Sequence, residues 1–321
     1  MGARAHVLCP IDFSDPSRAA LRYARAIAGH FEARLTVVTV NDPLLTEVAE
    51  LRMGSSWMAE DAERELRRFV AETFEHSAPS SAEIRFEVAE GKPAPEILRV
   101  ARERGCDLIV MGTHGMTGVR KMFFGSTTER VLRETGVPVL LTPAAQVGPL
   151  TLDDVKRAVR RVLAPVDLSP ATAHQVQVAS GLAEALDAPL LLLSVIQPVH
   201  FPLPAHVSLP SVDAERRTRA EQLLERLVST MPSRVRTEAL VAYGNPAEEI
   251  AKTARDRHAG LIVMGLHASP LAGPRMGSVT YRVLCLAPTL VLALPPAVER
   301  GAPEVTSAEA TQTGGALRST F

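Results

Sequence analysis

A set of glycines in the first half of the chain follows a short apolar run, and this arrangement is typical of a phosphate-binding turn. The apolar run covers residues 106–111, and the glycines after it are Gly112, Gly115, Gly118 and Gly125. Because glycine has no Cβ, its backbone N–H can approach a ligand closely. A helix that starts at Ser126 or Thr127 would add unpaired N–H groups and a dipole that favours anions. These residues could therefore hold a phosphate, although glycine-rich segments also occur as plain turns.

The elements that must position this turn are apolar strands that alternate with helical patterns. Ser14, Asp15 and Pro16 form a capping sequence, typical of a helix start. Alternation of strands and helices favours an α/β fold with a parallel sheet. The predicted strands are 6–11, 35–40, 84–89, 106–111 and 137–142. The predicted helices are 15–29, 57–74, 93–105 and 127–134.

The same order of segments recurs in the second half, which predicts a tandem duplication. Four blocks repeat in order: Val7–Asp12 as Val162–Asp167, Gly91–Ile97 as Gly244–Ile250, Leu108–Gly112 as Leu261–Gly265, and Gly125-Ser126 as Gly277-Ser278. We therefore expect one domain over residues 1–146 and a second over 157–296, joined by a linker of small and polar residues. Residues 297–321 are rich in Gly, Ala, Ser, Thr and Glu, and we expect a disordered tail.

With these motifs, each copy resembles a universal stress protein domain. The resemblance covers residues 6–143 and 161–295. It implies two tandem Rossmann-like domains of the adenine nucleotide alpha hydrolase-like type, each a five-stranded parallel sheet in the order 3-2-1-4-5, with ATP bound where the glycine signature is kept. In such a sheet the strand order reverses beside the first strand, and ligands bind in the crevice at the carboxyl ends of strands one and four. Asp12 ends the first of these strands and Met111-Gly112 end the other.

The resemblance also implies a role for individual residues. Asp12 would lie near adenine and ribose, Val40 would pack on adenine, and the others would offer backbone groups or the phosphate cradle. The complete implied set is Pro10, Asp12, Val40, Met111, Gly112, Gly115, Gly125, Ser126 and Thr127. Three have structural alternatives: Asp12 as a turn or cap residue, Val40 as ordinary core, and Ser126 as the cap of its own helix in a capping box with Glu129.

Other reactive side chains give weaker indications. Arg120 and Lys121 lie between the glycines and could reach a terminal phosphate, but a basic pair on a loop is more often solvated. His114 and His267 recur at matching places without an evident carboxylate or serine partner. No activated nucleophile, metal cluster or general base accompanies the cradle, so we expect at most a weak ATPase. ATP could arrive with Mg²⁺.

The second copy departs from the signature in its phosphate loop. Ala268 replaces a glycine, the loop is one residue shorter before Gly277, and Pro270 and Pro274 lack backbone donors. Asp167 and Val195 preserve the nucleoside side. We expect tight ATP binding by the first domain and weak or no binding by the second.

The fifth strands predict how the copies associate. Residues 137–141 and 289–294 are apolar runs at a sheet edge, and exposed edges invite pairing. The resemblance implies antiparallel pairing of these strands between two domains. We therefore expect intramolecular pairing of the two domains, and further assembly into a homodimer stays open.

Composition narrows the class of protein. The 321 residues are 46% hydrophobic with a formal net charge of −1, which gives no electrostatic reason to expect nucleic acid or an anionic membrane. Cys9, Cys106 and Cys285 lie in or beside apolar runs, as expected of buried thiols in a reducing compartment. No signal peptide or membrane-spanning segment is evident, so we expect a cytoplasmic protein. The leading hypothesis is an ATP-binding regulatory protein of the stress response. The alternatives are a slow ATPase or adenylate-handling enzyme and a scaffold that binds no nucleotide.

Overall fold

The computed structural model describes residues 4–44, 46–47, 51, 57–75, 83–113, 125–143, 148–149, 151–169, 172–198, 210–266 and 276–296. The strands of the first half are β1 (His6–Pro10), β2 (Arg34–Asn41), β3 (Ile84–Glu90), β4 (Leu108–Gly112) and β5 (Val139–Thr142). Its helices are α1 (Asp15–His30), α2 (Trp57–Phe74), α3 (Pro93–Glu103) and α4 (Ser126–Glu134).

A short helix, α5 (Leu152–Ala158), separates this half from the second. The strands of the second half are β6 (Val162–Pro165), β7 (Leu190–Ile196), β8 (Thr237–Tyr243), β9 (Leu261–Gly265) and β10 (Leu290–Leu294). Its helices are α6 (Thr172–Leu186), α7 (Pro210–Ser229), α8 (Pro246–Asp256) and α9 (Ser278–Leu286). Among the residues that the structure describes, no helix is both long and apolar enough to cross a membrane.

All ten strands form one sheet in the order β3-β2-β1-β4-β5-β10-β9-β6-β7-β8. Each half has the predicted order 3-2-1-4-5, and the neighbours within a half are parallel. The sheet differs in detail from two separate five-stranded sheets because β5 and β10 join the halves. These strands pair antiparallel, with Leu140 opposite Leu292 and Leu141 opposite Val291. The predicted pairing of the fifth strands within one chain is therefore confirmed.

The sheet is buried on both faces, as expected of parallel strands covered by helices. Val7 and Cys9 of β1 point into one core cluster, while Leu8 between them points into the other. Helices α1, α2, α5, α6 and α7 cover the first face, and helices α3, α4, α8 and α9 cover the second. Cys9 and Cys106 are buried free thiols, and desolvation raises the pKa of both, that of Cys106 to about 12.

Strand β5 begins two residues later than predicted, and the reason is local. Thr135 Oγ1 accepts the N–H of Val137 and donates to the Val137 carbonyl oxygen, which fixes a turn there. Pro138 then has no N–H to give to a ladder. Regular pairing starts at Val139, which lies opposite Ile109 of β4.

The predicted linker of small and polar residues contains helix α5, which the sequence analysis did not predict. Thr151 caps it, since Thr151 Oγ1 accepts from the Asp154 N–H and the Asp154 carboxylate accepts from the Thr151 N–H. Val155 of this helix is buried in one of the two core clusters, both of which contain residues of both halves. The expected start of the second domain at residue 157 falls inside α5, so the boundary is not a simple tether. The expected tail, residues 297–321, lies outside the described residues.

Candidate functional site

The crevice between β1 and β4 is the centre of the candidate site in the first half. β1 pairs with β2 along its whole length, but its register with β4 covers Val7 opposite Leu108 and Leu8 opposite Ile109. Cys9 and Pro10 pair with β2 but have no registered partner in β4. This is the switch point of the strand order, where open α/β sheets bind ligands.

The end of β4 lies directly against the first turn of α1. A Cβ built on Gly112 would stand 2.9 Å from Pro16 Cβ and 3.1 Å from the Pro16 carbonyl oxygen. Real Cβ atoms are not found at the shorter of these distances, so the close approach requires glycine. The glycine predicted from the motif therefore has a packing role as well as a place in the crevice.

Asp12 forms the turn that leads from β1 into α1. Its Oδ1 accepts a hydrogen bond from the Ser14 N–H at 3.2 Å and another from the Ser14 hydroxyl. Ser14 in turn caps α1 by accepting from the Ser17 N–H. Phe13, between Asp12 and Ser14, has a φ of 63°, a backbone conformation that residues other than glycine rarely adopt. Asp12 is thus a turn residue, as the structural alternative held, and it is also exposed beside the crevice.

The N-terminus of α4 is fixed to the end of the same strand. Thr128 Oγ1 donates to the Gly112 carbonyl oxygen at 3.1 Å, and the Gly125 N–H donates to the Thr113 carbonyl oxygen at 3.2 Å. Gly125 is the capping residue and no side chain caps the helix, so the predicted capping box at Ser126 is wrong. Ser126 is instead the first helical residue, and its side chain is exposed.

The remaining predicted residues have four different settings. Pro10 and Val40 are half-buried at the ends of β1 and β2, and Val40 packs against the core cluster beneath α3 and α4. Met111 is only 5% exposed, so what it can offer to the crevice is backbone. Thr127 is half-buried in the first turn of α4. Gly115, with the neighbouring His114, Arg120 and Lys121, lies outside the described residues.

In the second half the corresponding residues surround one cleft of about 580 Å³. A volume of this size lies within the usual range for small-molecule sites. The cleft is lined by the counterparts of eight predicted residues, namely Pro165, Asp167, Val195, Met264, Gly265, Gly277, Ser278 and Val279. The same hydrogen bonds hold it: Thr280 Oγ1 donates to the Gly265 carbonyl oxygen at 2.9 Å, and the Gly277 N–H donates to the Leu266 carbonyl oxygen at 2.8 Å.

The second cleft keeps the aspartate in its ionised form. Asp167 Oδ1 accepts from the Ser169 N–H at 2.9 Å and from Thr172 Oγ1 at 3.1 Å. Desolvation alone would raise the pKa of Asp167, but these hydrogen bonds outweigh it and lower that pKa below its usual value. A carboxylate at this place is therefore available to accept further hydrogen bonds from a ligand.

Two side chains, Gln175 and Arg216, distinguish the second cleft from the corresponding crevice of the first half. The Gln175 amide donates to the Pro165 carbonyl oxygen at 2.6 Å and to the Val263 carbonyl oxygen at 2.9 Å, so it bridges β6 and β9 where they separate. The repeat places Ala20 at the matching position of the first half. Arg216 also lines the cleft, where it donates to the Gln197 carbonyl oxygen at 2.9 Å. Ala268, Pro270 and Pro274 lie outside the described residues.

The sequence reasoning did not identify Thr128 and Thr280 as residues that hold the candidate site together. They stand three places after Gly125 and Gly277, so their recurrence was a usable signal. Gln175 and Arg216 have no counterpart in the first copy, and the repeat could not have identified them. Within the described part of the chain, no cluster of three or more His, Cys, Asp or Glu side chains could hold a metal ion.

Comparison with known proteins places both halves in one family. The profile of the universal stress protein family matches residues 4–143 and 158–295. A universal stress protein of Thermus aquaticus is 35% identical over 138 residues, which cover 42% of this chain and 96% of that protein. One from Methanocaldococcus jannaschii is 33% identical over 137 residues, 42% of this chain and 79% of that protein. The crystal structure of a universal stress protein from Archaeoglobus fulgidus matches 91% of this chain and 98% of its own, with a TM-score of 0.63 and 19% identity, and so shares the fold.

Proposed function

The chain belongs to the universal stress protein family, and from this premise we propose that its first half binds ATP and that the protein is a nucleotide-dependent regulator of the stress response. The observation that carries the proposal is the convergence at Gly112. Pro16 approaches it from α1 and Thr128 holds its carbonyl oxygen from α4. We infer that these contacts bring the N-terminus of α4, the Asp12 carboxylate and the end of β4 to one crevice.

These groups suit the parts of a nucleotide. The unpaired N–H groups at the start of α4 and the glycine-rich segment before it suit phosphates. Asp12, which is exposed at the end of β1, suits a sugar hydroxyl, and Val40 offers an apolar surface to a base. ATP would bring Mg²⁺ with it.

We propose that the second half binds ATP weakly or not at all. Its cleft retains Asp167 and Val195, so the nucleoside side is kept. The difference would arise at the phosphates, because Ala268 adds a methyl group and the two prolines remove donors from the loop. We propose that the boundary of the two domains lies between β5 and α5. We also propose that the protein is cytoplasmic.

The proposal is tested by calorimetric titration of ATP into the full chain and into two matched variants. Asp12→Ala should weaken tight binding by about 10- to 100-fold, since hydrogen bonds to charged groups contribute about 1.5–3 kcal/mol. Asp167→Ala should leave the tight site intact, because it changes only the second cleft. If Asp167→Ala lost the tight site while Asp12→Ala kept it, ATP would bind to the second half and the proposal would be wrong.

Two further measurements separate binding from catalysis. Gly115→Ala should abolish tight binding, because a methyl group would occupy the proposed cradle. Release of inorganic phosphate from ATP should stay at background in the native chain. Release well above background that Gly115→Ala abolishes would instead favour an ATPase.

A further inference from the structure

An apolar cavity lies on the seam where the two halves join. Its volume is about 60 Å³, and it sits on the sheet face that carries α1, α5 and α6. Its floor includes Leu140 and Leu292, which form one of the three residue pairs across the β5–β10 junction. The side chains that define it are Leu140 and Leu292 from the floor, Ile27 and Tyr23 from α1, Val155 from α5 and Leu182 from α6.

The walls of this seam cavity offer almost nothing to a polar molecule. Leu140 and Leu292 are 7% and 1% exposed, and apart from Tyr23 and His30 the lining is aliphatic or phenyl. Burial raises the pKa of Tyr23 to about 12, so this side chain stays neutral. His30 is exposed at the rim. A water molecule needs two to four polar partners to occupy a buried site, and apolar cavities stay dry instead.

We propose that the seam cavity is a binding site for one small apolar molecule that is smaller than benzene. An apolar cavity of about 150 Å³ binds benzene or xenon, and empty space leaves the lining atoms without dispersion contacts that an apolar guest restores. A cavity of about 60 Å³ accepts xenon or a short hydrocarbon. Because the guest contacts both halves, it stabilises their association.

The linker helix forms one wall of the site. Val155 of α5 lines the cavity, and the chain packs closely at both ends of this helix. A Cβ on Gly148 would stand 2.8 Å from the Ala19 carbonyl oxygen, and one on Gly260 would stand 2.1 Å from the Ala158 carbonyl oxygen. The chain therefore packs closely against the first half before α5 and against the second half at its end.

Xenon is the probe for the test, applied under increasing pressure to the full chain with ¹³C-labelled methyl groups. The methyl resonances of Leu140, Leu182 and Leu292 should shift and saturate. Those of Leu98 and Val131, which belong to the core on the opposite face, should not. Shifts that grow linearly without saturation, or that are equal on both faces, would overturn the proposal.

A filling variant provides the matched control. Ala185 lines the cavity from α6, and Ala185→Leu should abolish the saturable shifts by occupying the space. Gln177→Leu adds a similar side chain on the exposed side of the same helix and should leave them unchanged. Should Ala185→Leu fail to fold, Val159→Leu fills the cavity from the end of the linker helix and must give the same loss. Saturable shifts that persist in a folded filling variant would refute the site.

Discussion

At the scale of single residues, Gly112 has two roles, one in the candidate site and one in packing. It ends β4 beside the crevice, and it lets α1 pack within contact distance of that end. The Thr128 hydroxyl donates to the Gly112 carbonyl oxygen and so ties α4 to the end of β4. A shift of Gly112 would therefore also move the helix that faces the proposed phosphates. A change here should therefore alter both stability and nucleotide binding.

Gly112→Ala should lower the free energy of unfolding by about 1–3 kcal/mol, the usual cost of an extra methyl group in a packed core. The reason is the clash with Pro16, and ATP affinity should fall in the same variant. Chemical denaturation and calorimetry measure the two effects. Gly136→Ala is the control, because a Cβ there meets nothing within 4 Å. Equal behaviour of the two variants would contradict the packing argument.

His6 is a second residue whose setting makes a prediction, here about pH. It is 1% exposed, with one ring nitrogen at 3.0 Å from the Arg104 carbonyl oxygen and the other at 2.8 Å from Thr36 Oγ1. Burial lowers the pKa of His6, the charges of Arg34 and Arg85 lower it further, and the Arg104 carbonyl and Asp107 only partly oppose this. The folded state thus favours the neutral ring.

The sign of the pH effect follows from linkage. The unfolded chain binds a proton at His6 near pH 6.5 while the folded chain resists it, so the stabilisation is present above that pH and is lost as the pH falls. The free energy of unfolding should drop between pH 7.5 and 5.5, by at most about 1.4 kcal/mol per pH unit for one proton.

His6→Asn should flatten this dependence in denaturation curves measured across the same pH range. His30→Gln is the necessary comparison, since burial and Lys156 also lower the pKa of His30. The second half carries Arg161 at the position that matches His6, paired with Glu238 at 2.8 Å, and so lacks this titration. An unchanged slope in His6→Asn would exclude His6 as its source.

At the scale of elements, the strands and most helices were predictable because their signals are local. Buried strands such as β4 are apolar along their whole length, and Ser14 before Pro16 marks the start of α1. Helix α5 was missed because it is short and its residues are mostly polar, although Thr151 and Asp154 form a recognisable capping box. The cap of α4 was misassigned because Gly125 has no side chain to signal the helix start.

The site was predictable only where it repeats. Asp12 and Gly112 recur as Asp167 and Gly265, and the structure brings the recurring positions of the second half to one cleft. Gln175 bridges β6 and β9 through contacts 10 and 88 residues away in sequence, which no local pattern reveals. The seam cavity likewise depends on how distant elements meet.

The capping box of α5 makes the prediction at this scale. Thr151→Ala removes the side chain that accepts the Asp154 N–H, and the loss of a cap costs about 0.5–2 kcal/mol. Hydrogen exchange in α5 should become faster, because the helix loses the bond that holds its first turn. Thr151→Ser keeps the hydroxyl and should behave as the native chain. If α5 exchanges equally slowly in Thr151→Ala, the cap does not stabilise the helix.

At the scale of the whole molecule, the halves share one sheet and both of its core faces, since each core cluster contains residues of both halves. The core cluster beneath α1 and α6 contains residues of both halves, including Leu140 and Leu292. β5 and β10 pair through three registered residue pairs, which satisfies edges that would otherwise be exposed. The peptide connection through the linker is thus one of several links between the halves.

A chain cut at a protease site introduced at residues 144–147 should therefore remain assembled. The two fragments should elute together in size-exclusion chromatography, with a mass equal to their sum, because the β5–β10 ladder and the shared core do not depend on the cut. Leu140→Lys should separate the cut fragments, since it places a charge in the apolar seam at a large desolvation cost. Leu140→Met conserves volume and should keep them together. Separation of the fragments without any substitution would mean that the linker, rather than the continuous sheet, holds the two halves in place.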